Sequence, residues 1–463
     1  MNRKIILSFA FCCLFSWAFS ASALEAFAQK KNQTKQAARL IAEGETAARQ
    51  RDFRAAVGKY AAAIALAPDS SAKAHFGKGD AHAQLNETDE AIVELGAALA
   101  QGYAPLDVYK IRWQLYFQKK NYDAALDDAE KAASADPQNA GFNRAVGQIQ
   151  LAKGAFQTAL DAFEKSAQAN PNDADLYYFI AAANAGLGNT EKQLSAANEA
   201  VARNTKFLGE SYLLIGDALR KNKKNAEAAD FYRKATNANP KIYAAYHNLG
   251  DVYRTQNKFR QAVEAVKKGL LIFPDDENLS VDLGRYLILS NRYAEAIVAA
   301  QQSVKLFPNS YSGYANLCRA LYEAKQLLPA LEACGGALKI NASDGEANVF
   351  AGFTNLSLNR NDAANAFFKR AANALLEYTR ANPDYSDGFY LLGNAFYYAG
   401  QPQKAVEAYL RTLELNPNFA KARFNLGLAY FVKGDLPSAR AQYAILLKTN
   451  KDLADKLKAT INK

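Results

Sequence analysis

Proline recurs at intervals of 34 residues along much of this chain. The prolines that keep this interval are Pro137 and Pro171, then Pro240, Pro274 and Pro308, then Pro383 and Pro417. A fixed period in this range is typical of stacked supersecondary units, each of which buries its apolar face only against its neighbours. The 463 residues are therefore predicted to form one repeat array and not several separate globular domains.

Small residues accompany the prolines at fixed offsets. Glycine stands 24 positions before Pro68 and before several of these prolines, at Gly44, Gly147, Gly216, Gly250, Gly284 and Gly393. Alanine stands 12 positions before Pro68 and before most of these prolines, at Ala56, Ala125, Ala159, Ala228, Ala262, Ala296 and Ala405. Side chains this small let two helix backbones approach closely, and breaks such as Lys153-Gly154-Ala155 between them are typical of a helix end. Each repeat is predicted to be a hairpin of two helices, and the chain to be all-α.

The segment from Tyr243 to Pro274 resembles the tetratricopeptide repeat most clearly. The residues that carry the resemblance there are Tyr246, Leu249, Gly250, Tyr253, Ala262 and Pro274. The resemblance covers residues 37–452 and implies an α-α superhelix, or solenoid, of about twelve stacked hairpins, with units starting near residues 37, 72, 106, 140, 174, 209, 243, 277, 311, 345, 386 and 420. It also implies that the first helices of successive hairpins line a concave groove for peptides or helices of partner proteins.

The unit from residue 345 is longer than the others by seven residues. Residues 371–380 read as uninterrupted helix, which predicts two extra turns on its second helix before Pro383. Such an extension either changes the local superhelix and offers a contact surface, or is a tolerated insertion. At the other end of the array, Leu453, Leu457 and Ile461 recur every fourth residue, so residues 453–463 are predicted to form a capping helix.

The first 28 residues have the pattern of a secretory signal peptide. Arg3 and Lys4 precede the apolar stretch 5–19, and A-x-A sites follow at residues 21–23 and 26–28. The apolar stretch is shorter than the roughly 20 residues that span a bilayer, so cleavage is expected and no integral membrane segment in the mature chain. We expect a periplasmic protein, or alternatively a secreted one, or a membrane-tethered one if the signal is uncleaved. Residues 29–36, QKKNQTKQ, are expected to form a flexible polar leader.

The charge pattern gives no indication of nucleic-acid binding. The formal net charge is +10, and removal of residues 1–28 takes away Arg3, Lys4 and Glu25, which leaves +9. These charges are scattered among acidic residues instead of forming a basic stripe. One basic cluster, at residues 220–224, is interpreted as a solvated hairpin tip.

Residues suited to catalysis or metal binding are scarce. The mature chain has only His75, His82 and His247, together with two cysteines, and it has no HExxH, CxxC, GxSxG or GxxxxGK[ST] motif. His75 and His82 lie seven residues apart on one predicted helix, but without a third ligand they are interpreted as surface or packing residues. We therefore expect no enzymatic activity, no cofactor and no metal site.

Cys318 and Cys334 are predicted to face each other. A hairpin bent near residue 326 places them at the same level on its two helices. In an oxidising compartment this arrangement allows a disulfide, which would contribute at most about 3 kcal/mol because its loop is short. The alternative is a pair of buried thiols that serve as small hydrophobic residues.

The later first helices carry rings and aliphatic side chains on one stripe each. These candidate partner-binding residues are Phe353 and Leu356, then Tyr390, Asn394 and Tyr397, then Phe424, Leu428 and Phe431. The earlier stripes are more polar, and Arg254, Arg285 and Arg319 form a run that could meet an acidic segment of a partner. The alternative is that the rings only pack between neighbouring first helices.

Two functions fit this sequence. The first is an exported, non-catalytic scaffold or adaptor that binds protein or peptide partners in the groove. The alternative is a periplasmic scaffold within a cell-envelope assembly or an exopolysaccharide export machine. Exported tetratricopeptide arrays resemble the scaffold proteins of exopolysaccharide export. An enzyme with repeats attached is not expected, because no segment longer than about 15 residues lies outside the repeats and the signal peptide. The sequence does not predict an oligomeric state.

Overall fold

The computed structural model describes the backbone of residues 4–462 and the side chains of residues 27–462. The predicted signal peptide therefore lies almost wholly outside the residues whose side chains are described. Within residues 4–462 the structure contains 25 α-helices, one 3-10 turn and no strand, which confirms the predicted all-α class.

Twenty-four of these helices form twelve consecutive hairpins. The pairs are α1 (Lys4–Arg49) with α2 (Phe53–Leu66), α3 (Ala72–Gln84) with α4 (Thr88–Ala100), α5 (Pro105–Gln118) with α6 (Tyr122–Ala135), α7 (Ala140–Ala152) with α8 (Phe156–Ala169), α9 (Ala174–Gly186) with α10 (Thr190–Ala202), α11 (Leu208–Lys221) with α12 (Asn225–Ala238), α13 (Tyr243–Thr255) with α14 (Phe259–Ile272), α15 (Glu277–Leu289) with α16 (Tyr293–Leu306), α17 (Tyr311–Glu323) with α18 (Leu327–Ile340), α19 (Gly345–Ser357) with α20 (Asn361–Ala381), α21 (Ser386–Tyr398) with α22 (Pro402–Leu415), and α23 (Ala420–Val432) with α24 (Leu436–Thr449). A last helix, α25, spans Lys451–Ile461.

The hairpins belong to two compact units, Met1–Lys206 and Phe207–Lys463. The N-terminal unit holds the five hairpins from α1 to α10, and the C-terminal unit holds the seven from α11 to α24 together with α25. In each unit every helix packs on its neighbours in the chain, so each unit is an α-solenoid. The number of hairpins agrees with the predicted twelve. From α3 onward the first helices begin within one residue of the predicted unit starts, whereas α1 begins at Lys4 and not near residue 37.

Residues 29–36 differ from the flexible leader that the sequence predicts, because they are helical and belong to α1. Their side chains are largely exposed, and among the side chains of α1 that the structure describes Ala37 is the first that is buried. Lysine and glutamine are good helix formers, so a helix anchored by packing at Ala37 can continue through this polar stretch without burying it. Among the helices described, none is both long enough and apolar enough to cross a membrane.

The turn inside most hairpins contains one residue in the left-handed conformation. Examples are Asn257 with φ 58°, Lys325 with φ 64° and Gly400 with φ 76°. This conformation reverses the chain after the first helix and suits glycine and asparagine best. The Gly, Asn and Lys content of the breaks seen in the sequence therefore marks the ends of the first helices.

Aromatic rings of second helices pack on the glycines of first helices. A Cβ added to Gly393 would lie 2.5 Å from Cε1 of Tyr409, and one added to Gly147 would lie 2.3 Å from Cε1 of Phe163. Tyr60 approaches both Gly44 in its own hairpin and Gly77 in the next. The glycine at this position therefore makes room for a ring that closes one hairpin and can also reach the next.

Both predicted departures from the regular repeat are present. The second helix α20 has 21 residues, whereas the second helix α18 has 14, so the extension is seven residues, or two turns. Helix α25 begins at Lys451, two residues before the predicted capping helix. It buries Ala454, Leu457 and Ile461 against the last hairpin, as a cap requires.

Candidate partner-binding site

The arginine row consists of Arg254, Arg285 and Arg319, which come from the first helices α13, α15 and α17 of the C-terminal unit. We call the surface formed by the first helices of this unit its inner face. Arg254 donates from Nε and Nη2 to Oδ1 of Asp251, at 3.0 and 2.6 Å. Nη1 of Arg285 lies 4.0 Å from Oδ1 of Asp282. Each of these two arginines thus has an acidic neighbour on its own helix.

Arg319 is bound by carboxylates from two later hairpins. Its Nη1 donates to Glu346 at 2.9 Å, and Nη1 and Nη2 donate to the two carboxylate oxygens of Asp387 at 2.5 and 3.0 Å. Arg319 is only 6% exposed and Asp387 only 3%. Burial disfavours the charge of Arg319, but the attraction of Asp387 and Glu346 outweighs it and holds the pKa of the guanidinium above its ordinary value. The acidic segment that the row was expected to meet in a partner is, at Arg319, part of this chain.

A cleft of about 490 Å³ lies beside this ion pair. Three of the predicted partner-binding residues line it, namely Arg254, Arg319 and Tyr390. Further lining residues are Tyr293 at the start of α16, Phe419 in the turn before α23, Lys421 at the start of α23 and Lys456 in α25. The cleft therefore lies between the first helices on one side and the turns of the last two hairpins with the cap on the other.

The rings at the cleft are held by their neighbours. Tyr390 and Phe419 have ring centroids 4.7 Å apart, and both are half-buried. The hydroxyl of Tyr293 donates to Oδ1 of Asn291 at 2.7 Å, and burial raises the pKa of Tyr293 to about 12. These rings offer fixed, partly accessible apolar surface, which is the kind of surface that binding hot spots use.

Two contacts join the walls of the cleft. Nζ of Lys421 lies 3.6 Å from Glu323, and Asn416 donates from Nδ2 to Oδ1 of Asn257 at 3.1 Å. Asn257 lies in the α13–α14 turn and Asn416 in the α22–α23 turn. The inner face of the C-terminal unit thus curves until hairpins far apart in sequence meet.

The remaining predicted rings pack within the unit and do not line this cleft. The ring of Phe353 is surrounded by those of Tyr322, Phe350, Phe368 and Tyr398, at centroid distances of 5.2 to 5.9 Å. Leu356 is half-buried. Tyr397 is half-buried and contacts Tyr398 edge-on at 5.1 Å. For Phe353 the alternative interpretation, packing between neighbours, describes the structure.

Asn394 has a structural position. It is 1% exposed, and its Oδ1 accepts hydrogen bonds from the hydroxyl of Tyr409 and from Nδ2 of Asn425, both at 2.8 Å. A buried amide with its acceptor already used stabilises the hairpin pair and is not free for a ligand. The expectation that Asn394 contacts a partner is therefore not met.

The stripe on α23 lies under the cap. Phe424, Leu428 and Phe431 are half-buried against the cluster of Leu446 and Leu457. Helix α25 and the end of α24 thus take part of the surface that the sequence suggested for a partner. The sequence pattern shows an apolar stripe correctly but does not tell whether a capping helix covers it.

Sγ of Cys318 and Sγ of Cys334 lie at bonding distance, 1.96 Å, with their Cα atoms 4.9 Å apart. Both residues are fully buried, one on each helix of the α17–α18 hairpin. The predicted facing arrangement is present in the structure as a disulfide.

The histidines of α3 each have a carboxylate partner. Nδ1 of His75 lies 2.6 Å from Glu94, and Nδ1 of His82 lies 2.6 Å from Glu87. Among residues 27–462, no three His, Cys, Asp or Glu side chains converge as a metal site would require.

Tyr293, Phe419 and Lys456 are cleft residues that the sequence reasoning did not find. It considered only stripes on first helices, whereas these residues begin a second helix, precede a first helix and lie in the cap. A contact between hairpins several repeats apart depends on the curvature of the unit, and the local repeat pattern does not encode it.

The stacked hairpins of each unit define a helical-repeat solenoid. A model of the tetratricopeptide repeat matches residues 41–106 and 390–454, and a model of the FAT domain matches residues 119–311. The tetratricopeptide repeat matches, the 34-residue period and the twelve hairpins together support a tetratricopeptide repeat protein.

Solved structures similar to this chain include other helical-repeat proteins. Cut9, in the APC/C hetero-tetramer Cut9–Hcn1, is 12% identical with a TM-score of 0.42, covering 92% of this chain and 96% of its own. Yeast Tom70 is 13% identical with a TM-score of 0.38, covering 92% and 94%. The C-terminal part of a TPR repeat-containing protein from Cytophaga hutchinsonii is 16% identical with a TM-score of 0.39, covering 60% and 98%. A search of curated proteins finds no match.

Proposed function

We propose that this chain is an exported, non-catalytic scaffold that binds a protein or peptide partner in the cleft on the inner face of its C-terminal unit. The observation that carries the proposal is the cleft itself, about 490 Å³ in volume and lined by rings, amides and charges. Apolar walls with a few placed polar groups are the usual features of a binding site. The N-terminal signal pattern supports export.

The chemistry of the cleft favours a polypeptide over a nucleic acid. Arg319 pairs with Asp387, Lys421 lies close to Glu323, and Arg254 pairs with Asp251. Because the basic groups have acidic neighbours, the cleft lacks the positive surplus that a phosphate backbone needs. Half-buried Tyr390 and Phe419 supply apolar contact for a side chain of the partner.

The same pairing supports a binding role over catalysis. Of the four carboxylates that line the cleft, Asp387 and Glu323 each face a cation. A general base needs an oxygen that is free to reach the proton it takes, whereas both carboxylate oxygens of Asp387 already accept hydrogen bonds from Arg319. We therefore assign these groups to shaping the cleft.

Site-specific photocrosslinking tests where the partner binds. A photoreactive phenylalanine analogue is placed at Phe419 in the cleft, and in a matched variant at Val298, which is 65% exposed on second helix α16. We expect one discrete crosslinked protein from the Phe419 position in cells and none from Val298. Equal crosslinking from both positions, or crosslinking from Val298 alone, would contradict the proposed site.

Export is tested separately. The mature protein is purified from the periplasm, and its N-terminus is determined by mass spectrometry. We expect the chain to begin just after Ala23 or Ala28, the ends of the two A-x-A sites. A chain that retains Met1 and stays with the cytoplasmic fraction would contradict export, but it would not bear on the proposed binding site.

A further inference from the structure

The end of the lengthened helix α20 and the turn after it lie against the arginine row. We call residues 378–387 the inner strap. The guanidinium carbon of Arg254 lies 4.6 Å from the ring centroid of Tyr385, and Arg319 holds Asp387 with two hydrogen bonds. Arg285 lines a cavity of about 350 Å³ together with Tyr378 and Tyr385. All three arginines of the row therefore face the strap.

These contacts are not those of neighbouring hairpins. Tyr385 precedes α21, four hairpins after α13, which carries Arg254, and Asp387 lies 68 residues after Arg319. The regular repeat provides contacts between adjacent units. The seven added residues lengthen α20 by about 10 Å, and the strap consists of the end of this lengthened helix and the turn that follows it.

The strap has the chemistry of a ligand for an arginine row. It carries the sequence Asp384-Tyr385-Ser386-Asp387, with two carboxylates around an aromatic ring. Carboxylates bind the guanidinium fork at two points, and the ring face attracts its charge. Arg319 with Asp387 is an instance of the first contact, and Arg254 with Tyr385 of the second.

The strap has open space on two sides. One side is the inner-face cleft described above, which Asp384, Tyr385 and Asp387 help to line. On the other side is a cleft of about 530 Å³ that Asp384 shares with Arg220, Lys221 and Lys223. Asp384 itself is exposed. The basic cluster of residues 220–224 thus extends the arginine row beyond the strap.

We infer that the inner strap is a built-in ligand of the arginine row, and that its release opens a basic surface for an acidic, tyrosine-containing segment of a partner. The role of the strap in regulating partner binding rests on the proposed binding function. In the free protein the strap competes with the partner, so the apparent affinity is the intrinsic affinity multiplied by the fraction of molecules in which the strap is released.

A peptide added in trans tests the inference without knowledge of the partner. The probe is a fluorescein-labelled peptide with the sequence of residues 381–389, ANPDYSDGF, followed by anisotropy. The wild-type protein is compared with Tyr385→Ala/Asp387→Asn, in which the strap has lost its ring and one carboxylate. We expect the variant to bind the probe at least roughly tenfold more tightly than wild type does.

Two controls make this binding specific. Adding Arg254→Gln to the double variant should lower its affinity for the probe, because the stacking partner of the tyrosine is lost. A peptide in which both aspartates are asparagine should bind weakly to every form. Equal binding of the probe to wild type and to the variant, or equal binding of the two peptides, would overturn the inference.

Hydrogen exchange covers the case in which the double variant fails to fold. In Arg254→Gln alone, the amides of residues 384–390 should exchange faster than in wild type. Arg233→Gln, which removes an exposed pair with Asp230, should leave them unchanged. Unchanged exchange in Arg254→Gln would overturn the strap as a ligand of that arginine. Photocrosslinking at Phe419 is independent of both assays, so a failure here is distinct from a failure of the proposed function.

Discussion

Arg319 on α17 and Asp387 at the start of α21 form a buried, two-point ion pair between hairpins 68 residues apart. The pair joins the middle of the C-terminal unit to its last two hairpins. It also closes one side of the candidate cleft, so the shape of the binding site and the stability of the unit depend on the same contact.

Removing the carboxylate of this pair should destabilise the C-terminal unit. In Asp387→Asn, the buried Arg319 keeps only Glu346, and we expect a loss of about 3 kcal/mol, at the lower end for a broken buried ion pair. The measurement is urea unfolding followed by circular dichroism. Glu377→Gln, which breaks the exposed pair with Arg380, is the control and should cost less than about 1 kcal/mol. Equal effects of the two substitutions would argue against the pair as a stabilising contact.

Two glycines should respond to alanine in opposite directions. A Cβ at Gly393 would lie 2.5 Å from Cε1 of Tyr409, so Gly393→Ala should destabilise by about 1–3 kcal/mol through overpacking. A Cβ at Gly335, within helix α18, would meet nothing within 4 Å. Gly335→Ala should therefore stabilise by about 0.5–1 kcal/mol, since alanine is the better helix former. Melting temperatures of the two variants check the signs, and a stabilised Gly393→Ala would contradict the ring-on-glycine packing.

The disulfide should be measurable in the mature protein. Alkylation of the unfolded chain without reductant should label neither Cys318 nor Cys334. After reduction both cysteines should be labelled, and mass spectrometry should show the corresponding increase in mass. Reduction should lower the free energy of unfolding by at most about 3 kcal/mol, because the bond closes a short loop. In Cys318→Ala/Cys334→Ala, reductant should have no effect. Two labelled thiols in the unreduced protein would show that the bond is absent from the mature chain.

His247 should make part of the stability depend on pH. Its Nδ1 lies 2.9 Å from Oδ2 of Asp282, and the interaction with this carboxylate raises the pKa of His247 although burial opposes this. Asp251 also favours the charged imidazole, and Arg220 disfavours it. A raised pKa means that the contribution is complete below the unfolded value of about 6.5 and is lost as the pH rises through the folded value.

The comparison of wild type with His247→Gln isolates this contribution. The difference in unfolding free energy should be largest near about pH 6 and should shrink towards about pH 9. Because the His247 side chain is 42% exposed, solvent screening should keep the difference small. A difference that stays constant or grows with rising pH would contradict the assigned direction of the pKa.

The fold could be predicted from the sequence because its signals are local. The proline period, the glycines such as Gly393 and the closing rings such as Tyr409 act within one hairpin or between neighbours. Even the two extra turns of α20 follow from counting residues along one helix. Among the described residues, the polar stretch 29–36 departed from expectation, since helix α1 continues through it.

The site could be predicted only in part, because it depends on contacts over long distances in the sequence. Arg254, Arg319 and Tyr390 were candidates and do line the cleft, but the partners of both arginines on the strap lie hairpins away. Phe353 fits the same helical stripe as Tyr390, yet four rings surround it within the unit and it does not line the cleft. Whether a ring on such a stripe is covered is set by curvature and by the cap, neither of which a repeat pattern contains.

The affinity of the partner captured at Phe419 tests the central claim most directly. Its binding is measured to wild-type protein, to the cleft variant Phe419→Ala/Lys456→Glu, and to the outer variant Val298→Glu/Leu328→Glu, whose two sites are exposed on second helices. The account predicts a loss of at least about tenfold for the cleft variant and a change of less than about twofold for the outer one. Unchanged affinity in the cleft variant, with a loss in the outer variant, would contradict the account.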